Sequence, residues 1–229
     1  MTNARATRER IRSKGLATRE EIVARALNIA ALEGLGALSI GGLAKELKMS
    51  KSGLFVHFGS KENLEKAVIE HARTLFFDQI LIPIDHAGLE GIERLWALCD
   101  HWLTFVEKSA LPGGYFFTGA FFQCAGRDGP VSAQITEVVR EWFNTLKHAV
   151  DEARGNDELS PSVDAARTAL ELNGTLIGAQ WSHLLEGKDR TRARSAIVSK
   201  LGSLATDKIP AGAFDSVKAW RKYLGSKHD

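Results

Sequence analysis

The chain has 229 residues, 44% of them apolar and 25% charged, with a formal net charge of +2. That is the composition of an ordinary globular protein with enough apolar material for one or two cores, which excludes disordered and fibrous classes. Two cysteines, Cys99 and Cys124, make no disulfide scaffold, and the longest apolar stretches, near 75–84 and 115–125, fall far short of the roughly 20 residues a membrane span needs. With no signal peptide visible, the cytoplasm is the expected compartment.

Charge is unevenly spread. Residues 1–19 carry six cations (Arg5, Arg8, Arg10, Arg12, Lys14, Arg19) against Glu9 alone, whereas residues 71–229 carry 18 cations and 20 anions. Positive charge therefore gathers at the N-terminal end, where it can meet a polyanion.

Helical periodicity runs through nearly the whole chain and period-2 strand patterns are absent, so the expected fold class is all-α. Residues 1–15 read as a basic flexible arm. The arginines of 5–12 suit an arm that reaches a minor groove, and equally a solvated tail; both readings stay open. Thr18-Arg19-Glu20-Glu21 has the form of a capping box, with Thr18 as N-cap of a helix whose apolar face is Ile22, Ala26, Ile29 and Ala30, stopped by Gly34 and Gly36. Ser39 is placed to cap a second short helix with Leu43 and Leu47 inward. Lys48-Met49 makes a turn, Ser50 caps a third helix ending near Phe58, Gly59 breaks it, and Ser60 caps a long fourth helix.

Beyond Pro83, helices are expected at about 88–109, 115–126, 130–154, 161–187 and 189–206, with a short one at 213–224. Ser160-Pro161 and Gly129-Pro130 read as helix starts with proline at the first position, and Asp189 as a cap after the Gly187-Lys188 break. Residues 16–76 thus read as an N-terminal helical domain and 77–229 as a larger helical domain.

Two short helices joined by a tight turn place the N-terminus of the second against a DNA major groove. In that geometry Ser50 and Lys51 open the candidate recognition helix, and Ser52 and Gly53 are small enough for the backbone to approach DNA. Phe55 and His57 lie further along, within reach of the sugar–phosphate backbone, and Lys61 stands at the next helix start, where a cation and backbone N–H groups share a phosphate. Leu54 and Phe58, four apart, face inward. Phe55 is expected to be exposed, or else half-covered by the fourth helix.

The stretch 18–64 resembles the DNA-binding domain of the TetR (tetracycline-repressor) family of bacterial regulators. The match comprises the first helix ending at Gly34, Ser39-Ile40 opening the second, Leu43-Ala44, the run from Met49 to Phe58, and Ser60-Lys61-Glu62-Asn63-Leu64. The resemblance implies DNA contacts from Thr18, Ser39, Ser50, Lys51, Ser52, Gly53, Phe55 and His57, with Lys61 as a phosphate clamp. Three departures stand out. Phe55 lacks the hydroxyl of the family's usual tyrosine. Lys48 replaces a usual glycine, so it must bear the turn conformation or alter it. Gly41-Gly42 removes side chains where relatives place polar ones.

The C-terminal half holds most of the aromatics, with isolated polar groups among them, and an apolar cavity with a few polar groups is what a small-molecule site requires. The effector-binding candidates on α-helical segments before 125 are Trp96, His101, Trp102, Phe105, Tyr115, Phe117, Phe121 and Gln123; those after it are Trp142, Asn173 and Trp181. TetR-like proteins bind an effector in this domain and dimerise through their last long helices. The interface is therefore expected at about 161–206, with Gly174, Gly178 and Trp181 as candidates. Two-fold symmetry then sets the recognition helices roughly 34–36 Å apart on a near-palindromic operator. The sequence contains no G-x-S-x-G, P-loop or H-E-x-x-H, and its histidines and cysteines lack metal-ligand spacing, so no catalytic residue, metal or cofactor is expected. The expected function is a ligand-responsive transcriptional regulator, most simply a repressor. The rival is a small-molecule-binding or enzymatic helical protein whose N-terminal unit is only structural.

Overall fold

A computed structural model describes residues 2–108, 116–124, 126–186 and 191–227, with residues 2–17, 183, 184 and 186 described by backbone alone. The described residues form ten α-helices and no β-strand, only a single antiparallel bridge between Leu159 and Ala205. The helices are α1 (Thr2–Glu33), α2 (Ile40–Glu46), α3 (Lys51–Phe58), α4 (Lys61–His86), α5 (Gly91–Lys108), α6 (Phe116–Cys124), α7 (Pro130–Gly155), α8 (Ala165–Glu186), α9 (Thr191–Leu204) and α10 (Val217–Gly225).

Three starts differ from the sequence reading by four residues or more: those of α1 and α8, and that of α10, which begins at Val217 and not near 213. α1 begins at Thr2, so Thr18 lies inside the helix and is not its N-cap; residues 2–15, expected as an arm, belong to its backbone. The preceding segment is rich in Ala and Arg, good helix formers, so an existing helix propagates back through the threonine instead of nucleating at it. α8 starts at Ala165, not at Pro161. The reason is that Ser160 is tied elsewhere: its N–H donates to the Leu204 carbonyl (2.9 Å) beside the Leu159–Ala205 bridge. Asp164 takes over the cap, its carboxylate accepting from Arg167 N–H at 3.0 Å. Pro130 does open α7 as expected. Asp189 lies outside the described residues.

The chain divides into two units, one made of residues 1–75 with the described part of 110–137, the other of 76–109 with 138–229. The first is cored by Ile22, Ala26, Leu27 and Ala30 of α1, Leu43 and Ala44 of α2, Leu54 and Phe58 of α3, and Leu64 and Val68 of α4. Gln134 of α7 donates to the Lys66 carbonyl (3.3 Å) in the same unit. The side chain of Gln123, near the end of α6, lies against Gly34 so closely that a Cβ there would stand 2.3 Å from its amide nitrogen. With φ at +90°, Gly34 is a position where any other residue would be strained as well as blocked.

In the second unit α5 is the central helix, packed on α8 and α9. Arg194 of α9 reaches into α5. Its guanidinium binds Asp100 (2.5 Å) and Glu107 (2.9 Å) and donates to the Thr104 hydroxyl (3.1 Å). The planar five-donor fork of arginine satisfies all three partners at once, which a lysine cannot do. Arg221 of α10 shares Asp100 at 3.2 Å. At the other end of α5, Lys227 bridges the buried carboxylates of Glu93 (2.7 Å) and Glu158 (3.4 Å). Burial alone would lower the Lys227 ammonium, but its hydrogen bond and attraction to Glu93 outweigh that and raise it. Cys99 is fully buried in α5, where desolvation, aided by Asp100, pushes its thiol up to about 12. It carries no thiolate at neutral pH and behaves as a small core residue.

Candidate nucleic-acid interface

Three serines cap helices of the first unit, each by the same device. Ser39 Oγ accepts from Gly42 N–H, Ser50 Oγ from Gly53 N–H and Ser60 Oγ from Asn63 N–H, all at 3.0 Å. Each satisfies an orphan donor at the start of α2, α3 or α4. A hydroxyl that accepts in this way keeps its own proton, so exposed Ser39 and Ser50 can still donate to a phosphate while capping. The α2–α3 turn is tight: Met49 N–H returns to the Ala44 carbonyl at 2.9 Å, and Lys48 adopts the left-handed conformation (φ 54°) that the missing glycine demanded. α3 closes at Gly59, also left-handed (φ 71°), and Asn63 anchors the next corner by donating to the Phe58 carbonyl (2.9 Å).

Leu54 and Phe58 face the core, which turns Lys51, Ser52, Phe55 and Val56 outward. Phe55 is 52% exposed, the first of the two expectations for it. His57 is half-buried, its ring tilted against Phe58 at 6.2 Å. Gly53 is half-buried and supplies its N–H to the Ser50 cap. The Lys51 side chain runs back across α2, and a Cβ on Gly41 would meet its Cε at 3.1 Å. Gly41 is thus more than a missing contact, because its bareness lets a cation from α3 lie over the start of α2. Ion pairing between Arg25 of α1 and Glu46 of α2 ties the two helices together.

Lys61 stands at the start of α4, as expected for a phosphate clamp, but in this structure it is engaged. Its ammonium donates to the Gly36 carbonyl (2.9 Å) and lies 3.5 Å from the Glu65 carboxylate. Burial raises the Glu65 carboxyl, with Lys61 pulling the other way. A phosphate at this helix start must therefore compete with two oxygens, one of them a carboxylate. We predict that Lys61→Ala weakens DNA binding on all sequences alike and reduces the slope of log affinity against log salt by about 0.9 for each half-site a dimer occupies, one counterion's worth per contact. Fluorescence anisotropy between low and moderate salt measures this, and an unchanged slope would remove Lys61 from the phosphate contacts.

The effector candidates do not form one group. In the second unit Phe76 meets Phe105 and Trp142 edge-on at 5.4 Å each, and Trp142 Nε1 donates to Asn173 Oδ1 at 3.1 Å. His101 Nδ1 lies 3.3 Å from the Ile80 carbonyl, and Trp102 is buried. Trp96 instead faces Trp220 at 6.4 Å, and Trp181 stands 61% exposed on α8. Phe117, Phe121 and Gln123 belong to the first unit, and Tyr115 lies outside the described residues. Sequence reasoning missed Phe76, which reads as one more apolar position of α4. It also missed Val56, 83% exposed, because a lone valine beside Phe55 looks like core. Among the described residues no group of His, Cys, Asp and Glu is arranged to hold a metal ion, and no helix is long and apolar enough to cross a membrane.

A capped two-helix hairpin with an outward second helix, flanked by a cation at the next helix start, defines a helix-turn-helix DNA-binding regulator. Residues 22–68 match the family described as bacterial regulatory proteins, tetR family, and residues 91–197 match the tetracyclin repressor-like C-terminal domain. The chain belongs to the TetR family of ligand-responsive, DNA-binding transcriptional regulators.

Solved structures agree. A TetR transcriptional regulator from Chloroflexus aurantiacus J-10-FL is 25% identical over 82% of this chain and 94% of that one, with a TM-score of 0.72. Two others share the fold. A transcriptional regulator from Saccharomonospora viridis in complex with choline is 18% identical over 79% of this chain and 93% of that one, TM-score 0.67. AibR in complex with isovaleryl coenzyme A and operator DNA is 21% identical over 82% and 97%, TM-score 0.62. No curated protein sequence matches the chain.

Proposed function

We propose that the protein is a cytoplasmic, homodimeric, non-enzymatic repressor that a small-molecule effector releases from a near-palindromic operator. The observation that carries this is the outward face of α3, presented by three serine caps beside Lys51 and Lys61. Ser39, Ser50, Ser52 and Thr18 contribute hydroxyls to phosphates, the backbone at Gly53 approaches the duplex, and His57 contacts its backbone. Similar proteins bind choline or isovaleryl coenzyme A, and one was captured on operator DNA. An effector that is largely apolar suits the Phe76, Phe105 and Trp142 cluster, with His101 and Asn173 as its polar partners. α4 carries Phe76 near its middle and Lys61 at its start. Displacing Phe76 therefore moves the phosphate clamp and shifts the population toward a form that no longer fits successive major grooves.

A gel shift with DNA from upstream of the protein's own gene tests the reading. Absence of a specific shift at low salt overturns it in favour of a helical binding protein or enzyme. Reporter transcription with and without the gene separates repressor from activator, and native mass spectrometry of the purified protein looks for a retained effector.

A further inference from the structure

We propose that Phe55 and Val56 read thymine methyl groups, so that operator recognition by α3 rests on apolar contact with thymine and not on hydrogen bonds to base edges. The inference rests on the DNA-binding reading and asks what chemistry the recognition helix offers. α3 has eight residues. Its core side is fixed by Leu54 (0% exposed) and Phe58 (5%). At 3.6 residues per turn the opposite side belongs to Ser52 and Val56, one turn apart, with Phe55 beside them.

Val56 and Phe55 are adjacent large apolar side chains left in water at 83% and 52% exposure. Such a pair on the solvent side of a small helix lowers stability and solubility unless something covers it. In a helix that enters the major groove, what covers it is base edges. The rest of the outward face narrows the choice. Of the residues that pair bidentately with guanine or adenine, α3 contains no Arg, Asn or Gln, only Lys51. Lys51 is laid back over Gly41, and the Ser50 and Ser52 hydroxyls lie 3.3 Å from each other. The one apolar feature of the major-groove edge is the C5-methyl of thymine, and Val56 and Phe55 are the side chains shaped for it.

The test uses the wild-type protein and an operator selected from a random DNA library. Each thymine is replaced in turn by deoxyuridine, which removes the methyl and leaves pairing intact. Loss of about fourfold in affinity is expected at one or two positions per half-site, the worth of one buried methyl. About fifteenfold is expected when both half-sites of a dimer are altered together, if the effects add. Val56→Ala and Phe55→Ala, both at exposed positions, should bind with lower affinity and lose the response to deoxyuridine at one position each. If no deoxyuridine position matters, or if the response survives both substitutions, the proposal is overturned. A wild-type protein that selects no sequence at all would instead refute the DNA-binding reading on which it stands.

Discussion

Trp181→Glu is expected to yield a monomer that has lost operator binding by about a hundredfold or more. α8 presents an outward stripe of Leu170 (61% exposed), Gly174, Gly178, Trp181 (61%) and Leu185 (84%), spaced three to four apart. A Cβ added at Gly174 or Gly178 would meet nothing within 4 Å, so the glycines are not explained by packing inside this chain. A helix face of large apolar residues interrupted by small ones allows another helix to come close and bury it, which is what a two-fold interface needs. Tryptophan is the residue whose loss most often costs 2 kcal/mol or more at an interface, and a carboxylate in its place adds a desolvation cost. A recognition helix that binds alone also forfeits the effective concentration its tethered twin provides. Sedimentation and operator titration on the same variant measure both effects. A variant that stays dimeric with unchanged affinity would place the interface off α8.

Trp220→Ala is expected to destabilise the protein by about 3–5 kcal/mol, lowering Tm by about 10 °C. Trp220 is fully buried. It stacks on Phe214 (5.0 Å) and Tyr223 (5.5 Å) and meets Trp96 of α5 at 6.4 Å. It thereby pins α10 and the short 3-10 turn at Ala211–Phe214 to the middle of the second unit. Gly202 of α9 makes the same packing possible, since a Cβ there would stand 2.7 Å from Phe214. The indole nitrogen of Trp220 is buried with no hydrogen-bond partner. Trp220→Phe should therefore cost much less than alanine, because it keeps part of the ring and removes an orphaned donor. Thermal melts of the two variants check the ordering, and equal losses would mean that the indole makes a contact the structure does not show.

These two residues also mark where sequence reading stops. Trp181 is legible as one of several aromatics in the C-terminal half, but its sequence neighbours do not say that it faces water instead of a cavity. That depends on which face of α8 meets α5. Trp220 lies in a short final helix whose sequence promised little, and only the convergence of α5, α9 and α10 turns it into a core residue. The scattering of the effector candidates has the same origin. Trp96, Trp142 and Gln123 all sit on helices with an apolar face, and periodicity gives the face, not the partner.

The N-terminal site was legible in far greater detail because its determinants are local. Serine caps, the turn after α2, the left-handed Lys48 and the Gly59 stop each act within five residues, so residue type and spacing decide them. The same local logic failed at Thr18 and at Ser160-Pro161. There a cap signal was overruled, once by helix propagation from upstream and once by a backbone bridge to Ala205. By itself the sequence determined the helical class, the helix-turn-helix and its outward residues, since short-range hydrogen bonding and 3.6-residue periodicity suffice for those. Tertiary structure alone decided that Lys61 is already held by the Gly36 carbonyl, that Lys51 lies over Gly41, and which aromatics meet. Each of those depends on contacts between residues far apart in the chain, which no local pattern encodes.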